Sequence, residues 1–444
     1  MRKAQEYLVR CTEQYRETIL EAEQYIFHHP EIGFQEWETT AYMEEKFESL
    51  GYTLVKAGDI PGFYTDVCTG RPGPCLLILA ELDALPCDGH PDARNGIAHA
   101  CGHNAQCAAL LGIAAVLKEP GAIDTMCGKI RLMAVPAEEI NATQFREDLR
   151  SRGVIRYFSG KDEFMRRGYM KEVDLAFLFH TGTDTPYDFI AIKSLNGAII
   201  KSFTFHGQAA HAAAGPHMGV NALYAASLGL SAINAIRETF RDEDHVRVHP
   251  IITAGGTAVN VIPGTVSGET MVRASTLDMM YEANRRVDRA LKGAAYAIGA
   301  GLTIKDRPCA LPELNNRELM KIAEKCMCEL SGEEKVDIKY DVEGRGGSDM
   351  GDLSAVMPTI QPKAGGAKGK GHGAEYHIED PERACVNSAK AQLMLAEELL
   401  RDGAEAARKV IDGYSPLFQS QEELLMALDS MFSEIQMQGG LTAE

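Results

Sequence analysis

The chain has 444 residues, 45% of them hydrophobic and 24% charged, the balance of an ordinary globular protein with room for two domains. Its 45 basic and 63 acidic residues leave a formal charge of −18, which argues against nucleic acid or an anionic membrane surface as a partner. No apolar stretch reaches the roughly 18 residues of a membrane span. The opening MRKAQEYLVRCTEQYRE also lacks the apolar segment of a secretory signal, so a cytoplasmic location with reduced cysteines is expected.

The first 50 residues read as helices interrupted at His29-Pro30-Glu31-Ile32-Gly33. An apolar strand follows at 75–80 (CLLILA) and ends in Glu81-Leu82-Asp83-Ala84-Leu85-Pro86. A Gly-, Pro- and Asp-rich loop leads to His99 and a helix over 106–118. A strand at 129–135 ends in Pro136-Ala137-Glu138-Glu139. A polar helical stretch over 141–168 precedes a strand at 173–179, which ends in His180. Alternating strand and helix predict an α/β domain with a largely parallel central sheet flanked by helices. The polar residues gather at the C-terminal strand ends, where such sheets place their sites.

From about residue 198 the order changes: strand 198–206, helix 219–240, strands 251–259 and 265–274, helix 279–298, strand 302–306. This β-α-β-β-α-β order matches a ferredoxin-like α+β unit, inserted into the α/β domain, which resumes with helix 317–330. The expected boundaries are 1–195 and 305–444 for the α/β domain and 196–304 for the insert. A helix over 388–405 closes the core, and the last 40 residues hold a helix-like segment at 421–436. Eleven cysteines is an odd number, and Cys326 and Cys328 point different ways on a helix, so no disulfide framework is expected.

Five candidate ligands fall at strand ends or in loops: Cys101, His103, Glu139, His180 and His372. Thiolate and imidazole suit zinc, cobalt, nickel or manganese better than magnesium or calcium. Five ligands exceed what one tetrahedral ion needs; two divalent ions about 3.5–4 Å apart, sharing ligands and a bridging water, use them all. Glu138, beside Glu139, is then placed to take the proton of that water and deliver it to a leaving amine. Each residue alone has a plainer reading: a buried Cys as a small hydrophobe, a Glu pair as a solvated face, His180 as a core histidine, His372 as part of a flexible surface loop. A Cys–His protease is the rival chemistry, but it leaves Glu138, Glu139 and His180 unexplained.

The segments HHPEIGFQEWETT, ELDALP, HACGHNAQ, PAEE, LFHTG, HGQAAHAAAGPHMGVNAL, GGTAVNVIPG, GGSDMGDLSAVMPTIQP and GHGAEYHIED occur in this order. Together they resemble the metal-dependent amidohydrolase and metallopeptidase family of aminoacylases, carboxypeptidase G, plant indoleacetyl-amino-acid hydrolases and bacterial aminobenzoyl-glutamate hydrolases. The resemblance implies a dinuclear hydrolase of small N-acyl amino acids or dipeptide-like amides, with an inserted lid domain that forms a homodimer. It implies Cys101 as a bridging ligand, His103, Glu139, His180 and His372 as the others, and Glu138 as general base. It further implies that His211 reaches the oxyanion, that Asn260 and Arg273 contact substrate, and that Asp83 orients a ligand imidazole. His372 fits its motif better than His377.

The chain departs from the family pattern in three places near the site. Asn104 stands for the usual Asp, Gln106 for the usual His, and Glu81 for the usual Asp. Asn104 is expected to cap the following helix. The charged stretch 141–171 holds Arg146, Arg150, Arg152, Arg156, Arg166 and Arg167, read as a solvated helix face. The alternatives are an aminobenzoyl-glutamate-type hydrolase or dipeptidase, or an inactive relative that binds peptides.

Overall fold

A computed structural model describes residues 1–440 and divides the chain into two compact units. The first comprises Met1–Lys193, Leu314–Val342 and Asp352–Gln421. Its central strand, Cys75–Glu81, is buried at all seven positions, as an unbroken apolar run between two covered faces must be. Lys129–Val135 and Leu175–Phe177 flank it, both parallel, and Thr359–Ile360 continues the parallel set beyond Leu175–Phe177. On the other side Phe63–Cys68 runs antiparallel to Lys129–Val135, with the short strand Val55–Lys56 outside it.

Against this sheet lies the helix His103–Leu117, in which every residue is buried. A helix that is apolar all round belongs in an interior, and the helices Arg16–Phe27 and Ser388–Leu400 supply the outer cover through Ile19, Ala22, Ile26, Leu393 and Ala396. The helix starts three residues before the expected position, with Gly102 at its N-cap in a left-handed conformation. Asn104 therefore lies inside the helix and does not cap it. Its amide instead donates to Glu23 Oε1 at 2.7 Å, a buried contact.

A second sheet in this unit brings distant segments together. His180–Thr183 runs parallel to Lys363–Lys368 with His180 opposite Lys363. Lys363–Lys368 turns back antiparallel into His377–Ile378, with Lys368 opposite His377. The residues between, including His372, form the connecting loop.

The second unit comprises Ser194–Glu313, Glu343–Gly351 and the described residues from Glu422 onward. Gly197–His206 is its central strand, antiparallel to Thr265–Ala274 and to Gly301–Ala310. Ile251–Ala254 lies outside Thr265–Ala274, completing the expected β-α-β-β-α-β order. Burial alternates along Thr265–Ala274, so one face meets the helices Ala222–Arg237 and Leu277–Ile298 through Phe205, Val266, Val272, Val287 and Leu291. Asn221 and Thr276 cap these two helices by accepting Leu223, Tyr224 and Met279 amides.

The tail departs from expectation. The helix Gln421–Met431 ends early, and Ser433–Met437 is a strand. It pairs with Gly301–Ala310 from Asp306↔Ser433 to Leu302↔Met437. Alternation in SEIQM lets Ile435 and Met437 reach the apolar cluster of this unit, and the pairing covers an edge that would otherwise offer unpaired amides and carbonyls. No helix among the described residues is long and apolar enough to cross a membrane.

One buried charge cluster ties the second unit together. Lys201, on the central strand and fully buried, pairs with Asp306 and lies 2.5 Å from Asp288 Oδ1. Asn284 donates to the second Asp306 oxygen at 2.6 Å. Removing the cation leaves two carboxylates uncompensated. Lys201→Met is expected to lower stability by about 3–5 kcal/mol, read from the denaturant midpoint; an unchanged midpoint would show that the cluster contributes no net stability.

Candidate metal centre

Two adjacent strand ends carry the centre. Asp83 follows the end of Cys75–Glu81 and is fully buried. Its carbonyl lies 2.8 Å and its Oδ1 3.1 Å from His103 Nδ1, while Oδ2 accepts the Glu139 amide at 2.8 Å. With Nδ1 facing two acceptors, His103 presents Nε2 to the cluster.

Glu138 and Glu139 stand on the tight exit from Lys129–Val135. Ala137 there has φ 60°, uncommon for a residue with a side chain. The conformation is held from two directions. Glu36 Oε1 accepts the Ala137 amide at 2.7 Å, and the guanidinium of Arg146 donates to the carbonyls of Glu139 and Phe158. Arg146 is fully buried; of the six arginines expected on a solvated face, Arg150 and Arg167 are part-buried and only Arg152, Arg156 and Arg166 are exposed.

Cys101 sits between two small residues, and Thr181 Oγ1 donates to its carbonyl at 3.2 Å. The same hydroxyl contacts the Tyr376 hydroxyl at 2.7 Å. His180 Nε2 lies 3.4 Å from Cys101 Sγ. The loop bearing His372 is fastened by its amide, which donates to Ala100 O at 2.7 Å, and His372 Nε2 lies 2.9 Å from Glu139 Oε1. His377, on the returning strand, contacts the Glu375 carbonyl instead.

The side chains form overlapping triads. Cys101, His103 and His180 bring their donor atoms within 4.8 Å of one another, as do Cys101, Glu139 and His372. Cys101 belongs to both. A third group, Glu81, His103 and Glu138, shares His103; the sequence singles out Glu81 as a departure from the family pattern, not as a ligand.

The electrostatics suit cations. Burial opposes ionisation of Cys101, but His103 and His180 outweigh it and hold the thiol well below its usual range, favouring the thiolate that binds metal. Burial and the Cys101 charge push Glu139 up to about 7. Contacts with Cys101 and Glu139 push His372 up to about 10. Burial also opposes ionisation of Glu81, yet Lys161 and His103 bring it down to about 2.

Among the proposed ligands, two donor atoms are buried without a hydrogen-bond partner: His103 Nε2 and Glu139 Oε1. Each has a charged neighbour within 3.1 Å, but not in hydrogen-bond geometry. Buried polar atoms are normally satisfied, so these two, aimed into a thiolate–imidazole–carboxylate cluster, fit metal ligation.

His211, Asn260 and Arg273 belong to the second unit. His211 bridges to Val261, and the Ala212 amide donates to the Asn260 carbonyl, so the His211 and Asn260 loops are neighbours. His211 Nδ1 accepts the Ala213 and Ala214 amides at 3.2 and 3.0 Å, which assigns the proton of the neutral ring to Nε2. Arg273 packs against Gly347, where a Cβ would come within 2.9 Å of its Nη1.

The profile of peptidase family M20/M25/M40 matches residues 77–398. An N-acetyl-L-cysteine deacetylase of Bacillus subtilis (strain 168) is 29% identical over 312 residues, covering 66% of this chain and 68% of its own length. One of the p-aminobenzoyl-glutamate hydrolase polypeptides of Escherichia coli (strain K12) is 27% identical over 332 residues, 62% of this chain and 71% of its own. Among solved structures, a dinuclear metal-binding M20 peptidase of Bacillus subtilis superposes with a TM-score of 0.67 at 21% identity, over 87% of this chain and 99% of that one; this likeness speaks to the fold.

Gly102 links two of the candidate ligands, and its φ of 90° and surroundings exclude a side chain: a Cβ would collide with the Tyr376 hydroxyl and Thr181 Oγ1. Gly102→Ala is expected to abolish stoichiometric metal binding, measured by elemental analysis of the purified protein. Wild-type metal content in that variant would contradict the arrangement.

Matched over most of its length by the family profile, and carrying this donor set, the chain belongs to peptidase family M20/M25/M40, metal-dependent hydrolases of amide and peptide bonds.

Proposed function

We propose that this enzyme hydrolyses the amide bond of a small N-acyl amino acid or dipeptide-like substrate at a dinuclear centre held by Cys101, His103, Glu139, His180 and His372. The observation that carries the reading is the sharing of Cys101 by two donor triads, with Glu138 4.0 Å from His103 Nε2. Zinc or manganese suits the donors best, with cobalt or nickel as substitutes. Bound ions supply Lewis acidity toward the scissile carbonyl and acidify water at neutral pH.

The remaining work falls to the protein. Glu138 takes the proton of the attacking water and passes it to the nitrogen of the departing amino acid. Asp83 keeps His103 in the ligating tautomer. His211, protonated at Nε2, donates to the oxygen that becomes negative in the tetrahedral transition state. Asn260 contacts the substrate, and Arg273 pairs with its carboxylate. Relatives named for N-acetylcysteine and p-aminobenzoyl-glutamate both act on an acyl group attached to an amino acid, which supports this substrate class. The segment GGSDMGDLSAVMPTIQP favours an aminobenzoyl-glutamate-like acyl group as the second reading.

The enzyme works as a homodimer joined through the lid unit. Tyr224 and Leu228, exposed on one helix, and Ile251, exposed on an edge strand, support that interface. Eleven free thiols, Cys101 among them, support a reducing, cytoplasmic setting.

Glu138→Gln is expected to retain both ions while turnover of N-acyl amino acids falls about 10²–10⁴-fold, measured by release of free amine. A fully active Glu138→Gln enzyme would overturn the role of Glu138. His211→Ala is expected to reduce kcat about 10²–10³-fold at unchanged metal content; an unchanged kcat would remove His211 from the reaction.

A further inference from the structure

Glu81 and Lys161 form an ion pair with no side-chain exposure on either partner, Lys161 Nζ lying 2.5 Å from Glu81 Oε1. The proposed ligand set and proton relay use neither residue. A buried pair of this kind is no more stabilising than well-packed apolar residues of the same volume, so its place in the fold asks for another reason.

The surroundings point to one. Glu81 Oε2 accepts Gln106 Nε2 at 2.8 Å, and the Glu81 amide donates to Gln106 Oε1 at 3.1 Å. The carboxylate is gripped at both oxygens. Oε2 is thereby held 3.1 Å from His103 Nε2, the ring nitrogen that faces the centre. Lys161 is itself registered to the centre. Its helix, Gly160–Arg166, begins where the Gly160 amide donates to Ala137 O at 3.2 Å. Gly160 also lies so close to the Pro136 carbonyl that a Cβ there would overlap it. Pro136 and Ala137 lead directly into Glu138 and Glu139. The helix that supplies the ammonium is therefore locked to one strand end, and the carboxylate it binds belongs to the neighbouring one.

We propose that Lys161 is a positioning residue of the metal centre: through Glu81 it fixes a buried carboxylate beside His103 Nε2 and so sets the orientation and charge environment of that ligand. This rests on the dinuclear reading above. Lys161 and Glu81 act here through His103; neither touches substrate.

The test compares wild type, Glu81→Gln/Lys161→Met, and Lys161→Arg. The double variant removes both charges together, which avoids stranding one buried ion. Apo proteins are titrated with cobalt(II) against a chromophoric chelator, and the thiolate-to-cobalt absorption is recorded. The double variant is expected to fold, to bind cobalt about 10–100-fold more weakly, and to show an altered absorption band. Lys161→Arg keeps the charge and is expected to lose less affinity than the double variant. A double variant with wild-type affinity and spectrum would show that the pair is purely structural and overturn the proposal while leaving the centre intact. A Lys161→Arg enzyme as impaired as the double variant would overturn it as well. Wild type that binds no cobalt would overturn the dinuclear reading and this proposal with it.

Discussion

The carboxylate of Asp83 joins two strand ends that the chain delivers separately. One oxygen lies 3.1 Å from His103 Nδ1, and the other accepts the Glu139 amide at 2.8 Å. Parallel pairing of Cys75–Glu81 with Lys129–Val135, in register from Cys75↔Lys129 to Glu81↔Val135, brings the two ends level. Without that register Asp83 could not serve both. The second sheet supplies two further proposed ligands, with His180 at the start of one strand and His372 in the loop leaving its neighbour.

Such a centre concentrates negative charge in a dry interior. Glu81 and Asp83 lie against His103, Glu139 lies beside Cys101, and Glu36 faces the Asp83 charge. Burial and the Asp83 charge push Glu36 well above the usual carboxylate range as it props Ala137. Glu81 is kept ionised by Lys161. Of these two buried carboxyl groups, the one in contact with a lysine is held down and the one facing Asp83 is pushed up. Arg146 contributes in another way, through the Glu139 carbonyl rather than a carboxylate. The helical stretch 141–168 reaches the centre at two points, and both contacts are made by fully buried cations.

Much of this is legible in the chain itself. An apolar run with no alternation, followed by acidic residues, marks a buried strand and a site at its end; Cys75–Glu81 and Lys129–Val135 both read this way. The nine segments in order carry the family, and the order of strands and helices carries the inserted unit. Less legible are features that depend on partners far along the chain. Lys161 meets Glu81 across 80 positions, and nothing local separates it from a solvated lysine. Arg146 reads like the five other arginines near it, because periodicity shows which face a residue occupies, not what that face meets. Gln106 and Glu81, each a departure when taken alone, bond to each other. Asn104 suggests a helix cap because the three residues before it carry ligands and a glycine; the left-handed Gly102 starts the helix instead. The tail strand escapes a reading of the chain because five alternating residues after a helix also continue a helical pattern.

The central claim is that Cys101 is a thiolate shared by two ions. Its most direct test is the metal content of wild type and Cys101→Ala, purified without chelator and quantified per chain by elemental analysis. The account predicts close to two ions per wild-type chain and a sharp loss of both in the variant, since each triad loses a member. Two ions retained in Cys101→Ala, or none in wild type after loading with zinc, manganese or cobalt, would contradict it.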